Sequence, residues 1–344
     1  MITRPEGLTE ILLRVPRIPA ASRILERRLA LACLGLLDRA PGAIRRLIVS
    51  GASLEWTLEL AERFAIAPRL ASVLARARIL DELPESLASR IRDVGESAHA
   101  RNLALLTDLL RVGEALDGAS IPYVATKGSA ILAGHVKAYG DRHLDDIDLL
   151  IAPEDVARVE AAILAIGGVI DSSLANVDLH PLTMRGPLGT KVEVHVKLPR
   201  TDGREVLARA VSTPLFGGLV RIESPADLTR HVCDHVVSQH IEDPRPLPRH
   251  LVDVWRLLRS AGRGAFDESV PDVRVSLGIL ELVEASQDSA LGDAALASWL
   301  FPTHHTLVPS GIVSRRSGRG GMPGSLRMPN LRRVRAGLLF RVDA

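Results

Sequence analysis

Cysteine, aromatic side chains and long apolar stretches are all scarce in this chain of 344 residues. Its two cysteines cannot build a disulfide framework, which is typical of a protein from a reducing compartment. Aromatic residues make up 3%, too few for the stacking platforms that bind single-stranded nucleic acid. The longest apolar run, residues 29–37, is about half of a membrane span, and Pro5 and Glu6 stand where a secretory signal would begin its apolar run. We therefore expect a cytoplasmic protein with no membrane association.

Charge of one sign is not in excess either. The chain has 43 basic and 41 acidic residues, for a net charge of +2, so no overall field attracts nucleic acid or an anionic membrane. Only four of the basic residues are lysines, and this arginine-rich composition is typical of a GC-rich bacterial genome. Residues 315–341 are the exception, with eight arginines and no acid. We expect residues 307–344 to form a basic, weakly ordered tail whose role stays open.

The first third of the chain, residues 1–117, is predicted to be helical, because leucine, alanine, glutamate and arginine dominate it. Apolar residues spaced three to four apart predict one long helix, or two in line, over 83–116. After Pro199 the chain returns to a helical composition, and residues 201–306 are predicted to form a second helical region. Its clearest helix entry is Ser224, a capping residue followed by a proline at the first helical position.

Between these two regions, residues 118–200 are predicted to form a compact α+β unit. The expected order is strand, helix, strand, helix and hairpin. The β-prone runs are residues 121–126, 147–151, 177–184 and 190–198. The helices are predicted over 130–136 and from Pro153 to the stop signal at Gly167. Residues 185–189, which contain two glycines and a proline, are predicted to form the turn of the hairpin.

Acidic residues stand on two of these predicted strands. Side chains alternate between the faces of a strand, so Asp146 and Asp148 project from one face at its beginning. Glu193 and His195 likewise share a face, opposite their valine neighbours. Two carboxylates so close repel unless a cation lies between them, and oxygen ligands suit Mg²⁺. If the two strands are neighbours, Glu193 completes a metal site of three carboxylates.

A second feature precedes the acids. Gly128 and Ser129 stand at a predicted strand-to-helix turn, where backbone amides and a helix amino terminus can hold an anion. The Ser129 hydroxyl can hydrogen-bond a phosphate oxygen, and Lys127 and Arg142 are nearby cations. A phosphate cradle, paired aspartates and a third acid together favour metal-assisted phosphoryl or nucleotidyl transfer.

These motifs resemble those of the DNA polymerase β-like nucleotidyltransferase superfamily, and more narrowly its bacterial family of uncharacterised nucleotidyltransferases. The matching segments are IPYVATKGSA (121–130), RHLDDIDLLI (142–151), KVEVHVKL (191–198) and, more loosely, residues 228–258. The sequence departs from the family pattern in three ways: the long spacing from Gly128 to Asp146, a glutamate as the third acid, and Val196 where tryptophan is frequent. The last change concerns the nucleotide or acceptor pocket and not the ligands.

The resemblance implies an α+β fold: a polymerase β-like core, a small mixed sheet with helices, flanked by N- and C-terminal helical regions. It implies that Gly128 and Ser129 hold the triphosphate. Asp146 and Asp148 would bind two Mg²⁺ ions, with Mn²⁺ as a substitute. Glu193 would bind the catalytic metal and help to deprotonate the acceptor. The implied enzyme transfers NMP, AMP from ATP by preference, to an acceptor hydroxyl or phosphate and releases pyrophosphate.

Several residues keep more than one interpretation. Lys127 and Arg142 either bind phosphate or form salt bridges to the site acids. His195 either orients Glu193, contacts the acceptor, or is a hydrogen-bonded core histidine. Asp145 is expected to point away and to act as a cap or supporting residue, and Asp253 to pair with Arg249 four residues earlier. A cluster in the C-terminal region either packs helices and lines the acceptor pocket or binds zinc. It consists of His231, Cys233, Asp234, His235 and His240.

The function also keeps alternatives. A nucleotide-binding or antitoxin-like module with weak catalysis is one, and nucleotidyl addition to RNA is another, although the charge balance argues against a nucleic-acid partner. The acceptor, whether a protein, a peptide or a small molecule, is not readable from the sequence, and neither are the base preference and the oligomeric state.

Overall fold

The computed structural model describes residues 24–34, 40–136, 138–171, 182–198, 200–236 and 247–288. All of these lie within one compact unit, Met1–Thr303. The predicted basic tail at residues 307–344 and His240 lie outside the described residues. The division of the chain into four regions stays a prediction.

In the amino-terminal part, the described residues 24–34 and 40–118 are largely helical, as predicted. The helices of this part are α1 (Ile24–Ala32), α2 (Ala40–Val49), α3 (Leu54–Arg63), α4 (Ala67–Arg76) and α5 (Glu85–Gly118). Ser53 caps α3 by accepting a hydrogen bond from the backbone of Trp56 at 3.3 Å. Helix α5 is a single helix of 34 residues, and its buried face, which includes Leu105, Leu106 and Leu109, continues into the core beneath the sheet.

Within the described residues, seven strands form one mixed sheet in the order β3-β4-β5-β2-β1-β7-β6. The strands are β1 (Tyr123–Ala125), β2 (Asp146–Ile151), β3 (Val169–Ile170), β4 (Leu182–Arg185), β5 (Lys191–His195), β6 (Val211–Leu215) and β7 (Gly218–Ile222). Strand β2 lies between β1, which is antiparallel to it, and β5, which is parallel. Because β2 has neighbours on both edges and is covered by helices, Ile147, Leu149 and Leu150 are fully buried.

The hairpin of β6 and β7 corrects the prediction that the chain is helical after Pro199. Only a short helix, α8 (Gly203–Ala208), precedes this hairpin. The two strands are joined by Phe216 and Gly217, both with positive φ, which suits the twist of a two-residue hairpin turn. Because β7 pairs with β1, the sheet extends beyond residue 200. Composition suggested helix here, but β-branched residues and a Phe-Gly turn favour a hairpin.

The remaining helices are α6 (Lys127–Gly134), α7 (Val156–Ala165), α9 (Pro225–Asp234), α10 (Leu247–Ala261) and α11 (Pro271–Asp288). The predicted entry into α9 is confirmed, because the Ser224 hydroxyl accepts a hydrogen bond from the Asp227 amide at 3.2 Å. Within the described part of the chain, no helix is both long enough and apolar enough to cross a membrane.

A buried chain of charges ties three parts of the fold together. Arg69 of α4 pairs with Asp141, and Arg256 of α10 contacts both Asp141, at 3.2 Å, and Asp253, at 3.0 Å. Asp253 also binds Arg142 at 2.9 Å. All five side chains are buried, so each charge relies on its partners instead of water.

Asp253 therefore does not have the partner expected from the sequence. The spacing along α10 predicted an ion pair with Arg249, but Arg142 and Arg256 bind its carboxylate instead. Arg142, in turn, does not pair with an acid of the predicted metal site. Helical spacing shows which side chains share a face of α10. Arg142 lies in a loop far away in the sequence, and only the folded chain places it against Asp253.

We expect Asp253→Asn to lower the free energy of unfolding by about 3–5 kcal/mol, because it leaves Arg142 and Arg256 buried without a compensating charge. Chemical denaturation followed by circular dichroism measures this change. The control is Glu268→Gln, which breaks an exposed pair with Arg263 and should leave the unfolding midpoint unchanged. Equal stability of Asp253→Asn and the wild type would show that the network does not hold the fold.

Candidate active site

The predicted acids meet at one edge of the sheet. In the parallel pairing of β2 and β5, Asp148 stands opposite Glu193 and Asp146 stands opposite Lys191. Alternation along β2 keeps Asp146 and Asp148 on one face, so all three carboxylates line a single cavity of about 240 Å³. The expectation that the two acidic strands are neighbours is thus confirmed.

Asp148 is the most enclosed of the three acids, at 5% exposure. Lys127 Nζ donates to its Oδ1 at 2.8 Å, and His195 Nε2 lies 2.7 Å from the same oxygen. Burial acts to raise the pKa of Asp148, but the Lys127 ammonium and the His195 hydrogen bond outweigh it and hold this pKa well below its usual range. Asp148 is therefore ionised at neutral pH.

The pKa of Asp146 is shifted in the opposite direction from that of Asp148. Burial, followed by the charges of Asp148 and Glu193, raises the pKa of Asp146 to about 6. Lys191 pairs with Glu193 and lies 3.8 Å from Asp146, so it offsets only part of this repulsion. Two lysines face three carboxylates, and the site keeps an excess of negative charge.

This donor set fits a divalent cation. One ligand atom each of Asp148, Glu193 and His195 can be chosen so that all three lie within 4.8 Å of one another. Carboxylate oxygens are ligands that suit both Mg²⁺ and Mn²⁺, and an imidazole nitrogen extends the set towards other transition metals. Asp146 shares the cavity but is not one of these three. The sequence placed Asp146 in the triad and expected His195 to orient Glu193, to contact the acceptor or to be a core histidine.

The turn that carries Lys127 is conformationally unusual. Lys127 has a φ of +48°, a region that side chains other than glycine rarely adopt. Its backbone N–H donates to Glu223 at 3.3 Å, and the other oxygen of this fully buried carboxylate lies 2.9 Å from His231 Nδ1. Glu223 thus stabilises a strained turn next to the acids, as is frequent at functional sites.

Glu223 was not among the predicted site residues. It directly precedes Ser224, which the sequence marks as a helix cap. The acid at the end of a β-prone run was the available signal, and recognising it required knowing that residues 218–222 form a strand beside β1.

Gly128 is held in place by its neighbours. A Cβ added there would lie 2.5 Å from Leu144 and 2.7–2.8 Å from the Arg142 guanidinium. Arg142 lines the cavity, but its Nε and one terminal nitrogen are bound to Asp253 and the other nitrogen to the His143 carbonyl. The glycine therefore permits the close packing of a buried arginine against the turn.

Ser129 does not lie where the sequence suggested. Its hydroxyl is fully buried, donates to the Thr126 carbonyl at 2.8 Å and accepts from the Asp148 amide at 3.3 Å. It is not part of the cavity lining. The hydroxyl joins α6 to β2 and holds the backbone of Asp148, so a phosphate contact through this oxygen is not what the geometry supports.

Asp145 lines the same cavity as the other acids, whereas the sequence predicted that it points away from them. Its side chain is 59% exposed and pairs with His143 at 2.8 Å, with Arg101 at 3.9 Å. The hydrogen bond from His143, set against the opposing effect of burial, lowers the pKa of Asp145.

The opposite wall of the cavity comes from the C-terminal helices. It consists of Val232 and His235 of the α9 end and Arg249, His250 and Asp253 of α10. The rings of His235 and His250 meet edge to face, with centroids 4.6 Å apart. The prediction that this histidine-rich segment packs helices and lines the pocket therefore agrees with the geometry of the described residues.

The zinc alternative has no support in the described part of the chain, where Asp148, Glu193 and His195 are the group arranged for a metal. His231 faces Glu223. Burial raises the pKa of the Cys233 thiol to about 12, which opposes the thiolate form that zinc binds.

Comparisons with known proteins place the chain in a family. Residues 50–286 match the family described as uncharacterised nucleotidyltransferase, so the chain belongs to that family and is a nucleotidyltransferase. With the mixed sheet and flanking helices, this confirms the predicted family and fold class. No curated protein matches the chain.

Solved structures show a distant likeness. A crystal structure of ANT(2'')-Ia in complex with adenylyl-2''-tobramycin is 19% identical, with a TM-score of 0.37 over 51% of this chain and 96% of that one. A nucleotidyltransferase-like protein from Paracoccidioides brasiliensis is 18% identical, with a TM-score of 0.40 over 54% and 92%. At these scores the likeness carries no argument about substrate.

We expect Gly128→Ala to lower the free energy of unfolding by about 1–3 kcal/mol, because the new methyl group overlaps Leu144 and the Arg142 guanidinium. Thermal unfolding measures the loss. Gly118→Ala is the matched control, since a Cβ at the end of α5 meets nothing within 4 Å. If both variants unfolded like the wild type, the close packing of Arg142 on this turn would be refuted.

Proposed function

We propose that this protein is a Mg²⁺-dependent nucleotidyltransferase that transfers NMP, AMP from ATP by preference, to an acceptor hydroxyl or phosphate and releases pyrophosphate. The observation that carries the proposal is the convergence of Asp146, Asp148 and Glu193 on one cavity, beside the strained turn of Lys127. This arrangement combines a negatively charged cation site with a cationic strand-to-helix turn.

The turn into α6 supplies the means to bind the donor. Lys127 stands at the first position of this helix, and its own N–H donates to Glu223. The helix dipole favours phosphate at this end of the helix. The Lys127 ammonium is bound to Asp148, which holds a positive charge at the mouth of the cradle. Gly128 leaves room for the Arg142 guanidinium beside this turn.

Asp146, Asp148 and Glu193 would hold the metal, with His195 fixing the orientation of Asp148. A bound Mg²⁺ would neutralise the triphosphate and favour the ionised form of the acceptor. The excess negative charge of the cavity and the raised pKa of Asp146 both favour the binding of a cation at this site.

Transfer requires that the acceptor oxygen lose a proton as it bonds to the α-phosphorus. Glu193 is the carboxylate we assign to this proton, because it stands opposite Asp148 in the pairing of β2 and β5 and lines the same cavity. The bond from the α-phosphorus to its bridging oxygen then breaks, and pyrophosphate leaves with the electron pair. Positioning and electrostatics supply most of the rate in such chemistry.

We expect Asp146→Asn to reduce NMP transfer at least about 1,000-fold while leaving the fold intact, and Asp148→Asn and Glu193→Gln to act similarly. Because Asp146 is crowded by like charges, its neutral variant should melt at the wild-type temperature or above it. The assay incubates α-phosphate-labelled ATP, GTP, CTP and UTP with the protein, Mg²⁺ and a cell lysate, and follows labelled product and pyrophosphate.

Glu154→Gln is the control for this series. Glu154 follows β2 and forms an exposed pair with Arg204, away from the cavity, so this variant should keep full activity. Full activity of Asp146→Asn would remove the basis of the proposal. The labelled product also identifies the acceptor and the preferred base.

Metal binding gives a test that needs no acceptor. Mn²⁺ or Mg²⁺ should raise the melting temperature of the wild type, by an amount equivalent to about 2.7 kcal/mol at 100 times the dissociation constant. Asp148→Asn should abolish the shift, and Glu154→Gln should retain it. A shift that persists in Asp148→Asn would place the cation elsewhere.

A nucleotide-binding module without transfer is the second candidate. The observation in its favour is that lysines already contact two of the acids, Lys127 on Asp148 and Lys191 on Glu193. Tight NTP binding with no pyrophosphate release in the presence of Mg²⁺ or Mn²⁺ would favour this candidate. The cytoplasmic location stays a prediction.

A further inference from the structure

Arg249 lines the candidate active site without a hydrogen-bond partner among the described residues. It lies near the beginning of α10, is half-buried, and lines the same cavity as Asp146 and Asp148. Its Nε is buried and has no hydrogen-bond partner. Among the residues that the structure describes, its guanidinium forms no hydrogen bond or salt bridge.

The other long cations of this cavity are paired. Lys127 binds Asp148 at 2.8 Å, and Arg142 binds Asp253 at 2.9 Å. The buried Nε of Arg249 has lost contact with water and has gained no hydrogen bond in exchange, which is costly for a polar group. An anionic ligand that enters the cavity would remove this cost.

The electrostatic surroundings agree with an open anion position. Burial lowers the pKa of Arg249, and the positive charge of Arg142 lowers it further, against smaller opposing effects of Asp253, Asp145 and Asp146. No carboxylate is near enough to compensate the burial fully. Because Asp253 neutralises Arg142, Arg249 is the uncompensated positive charge that this part of the cavity lining presents.

The position of Arg249 is also well determined. Asp253 stands one helical turn further along α10, on the same face, and is bound by Arg142 next to Gly128. This ion pair fixes α10 against the turn that begins α6. A rigid element therefore presents the Arg249 side chain to the cavity, and no loop has to move to bring it there.

We propose that Arg249 binds the β- and γ-phosphates of the donor NTP and stays with the pyrophosphate as it leaves, an inference that rests on the proposed function. A planar guanidinium can bind two phosphate oxygens at once. When the bond between the α-phosphorus and the bridging oxygen breaks, the electron pair remains on pyrophosphate. Arg249 would neutralise this growing charge from the wall opposite the acids.

The experiment compares the wild type with Arg249→Gln and Arg249→Lys by calorimetry, using inorganic tripolyphosphate and AMP as separate probes in Mg²⁺. We expect Arg249→Gln to weaken tripolyphosphate binding about 10- to 100-fold, and Arg249→Lys to lose less. AMP, which lacks the β- and γ-phosphates, should bind as in the wild type. The control is Arg259→Gln, an exposed residue of the same helix, which should change neither affinity.

Thermal unfolding without phosphate separates this role from a structural one. Arg249→Gln removes a charge that has no close partner, so its melting temperature should equal or exceed that of the wild type. A marked drop would assign the residue to the fold and overturn the inference.

The two proposals fail in different ways. If the wild type binds tripolyphosphate and Arg249→Gln binds it equally well, this inference is overturned and the proposed function stands. If binding depends on Arg249 but the wild type transfers no nucleotide from any of the four NTPs, the phosphate site stands and the proposed function falls.

Discussion

The ion pair between Arg142 and Asp253 is the contact on which the geometry of the site depends. It joins the loop that precedes β2 to helix α10, and α10 carries the wall opposite the acids. The same arginine packs against Gly128 at the beginning of α6. One buried guanidinium therefore sets the distance between the three elements that enclose the cavity. Its partner Asp253 also binds Arg256, which extends the constraint through Asp141 to Arg69 and the amino-terminal helices.

Neutralisation of buried charge explains both this network and the site beside it. In the network, arginines and aspartates alternate, and each charge has an opposite neighbour. In the site, three carboxylates face two lysines, so the negative charge is only partly compensated. Asp148, bound by Lys127 and His195, stays ionised, whereas Asp146 has a raised pKa. Arg249, by contrast, is a positive charge without a close acidic partner among the described residues. A metal ion and a triphosphate would correct both excesses together.

Much of the fold followed from local pattern. The long helix α5, the helix that begins at Ser224 and the hairpin of β4 and β5 are all marked by periodicity, capping residues or turn residues. The hairpin of β6 and β7 was missed, because its surroundings are rich in helix formers and its turn contains Phe216. That omission also hid Glu223, whose carboxylate binds the Lys127 amide only because β7 lies beside β1.

The sequence by itself determined which acids share a face, since alternation along a strand needs no tertiary information, and it determined that Gly128 and Ser129 stand at the strand-to-helix turn after β1. Only the tertiary structure decided the partners. Asp253 forms its ion pair with Arg142 instead of Arg249. The buried Ser129 hydroxyl binds the Asp148 amide, and His195 lies within hydrogen-bond distance of the Asp148 carboxylate. The physical reason is that periodicity orders residues within one element, whereas a charge pair or hydrogen bond depends on the register and packing between elements far apart in the chain.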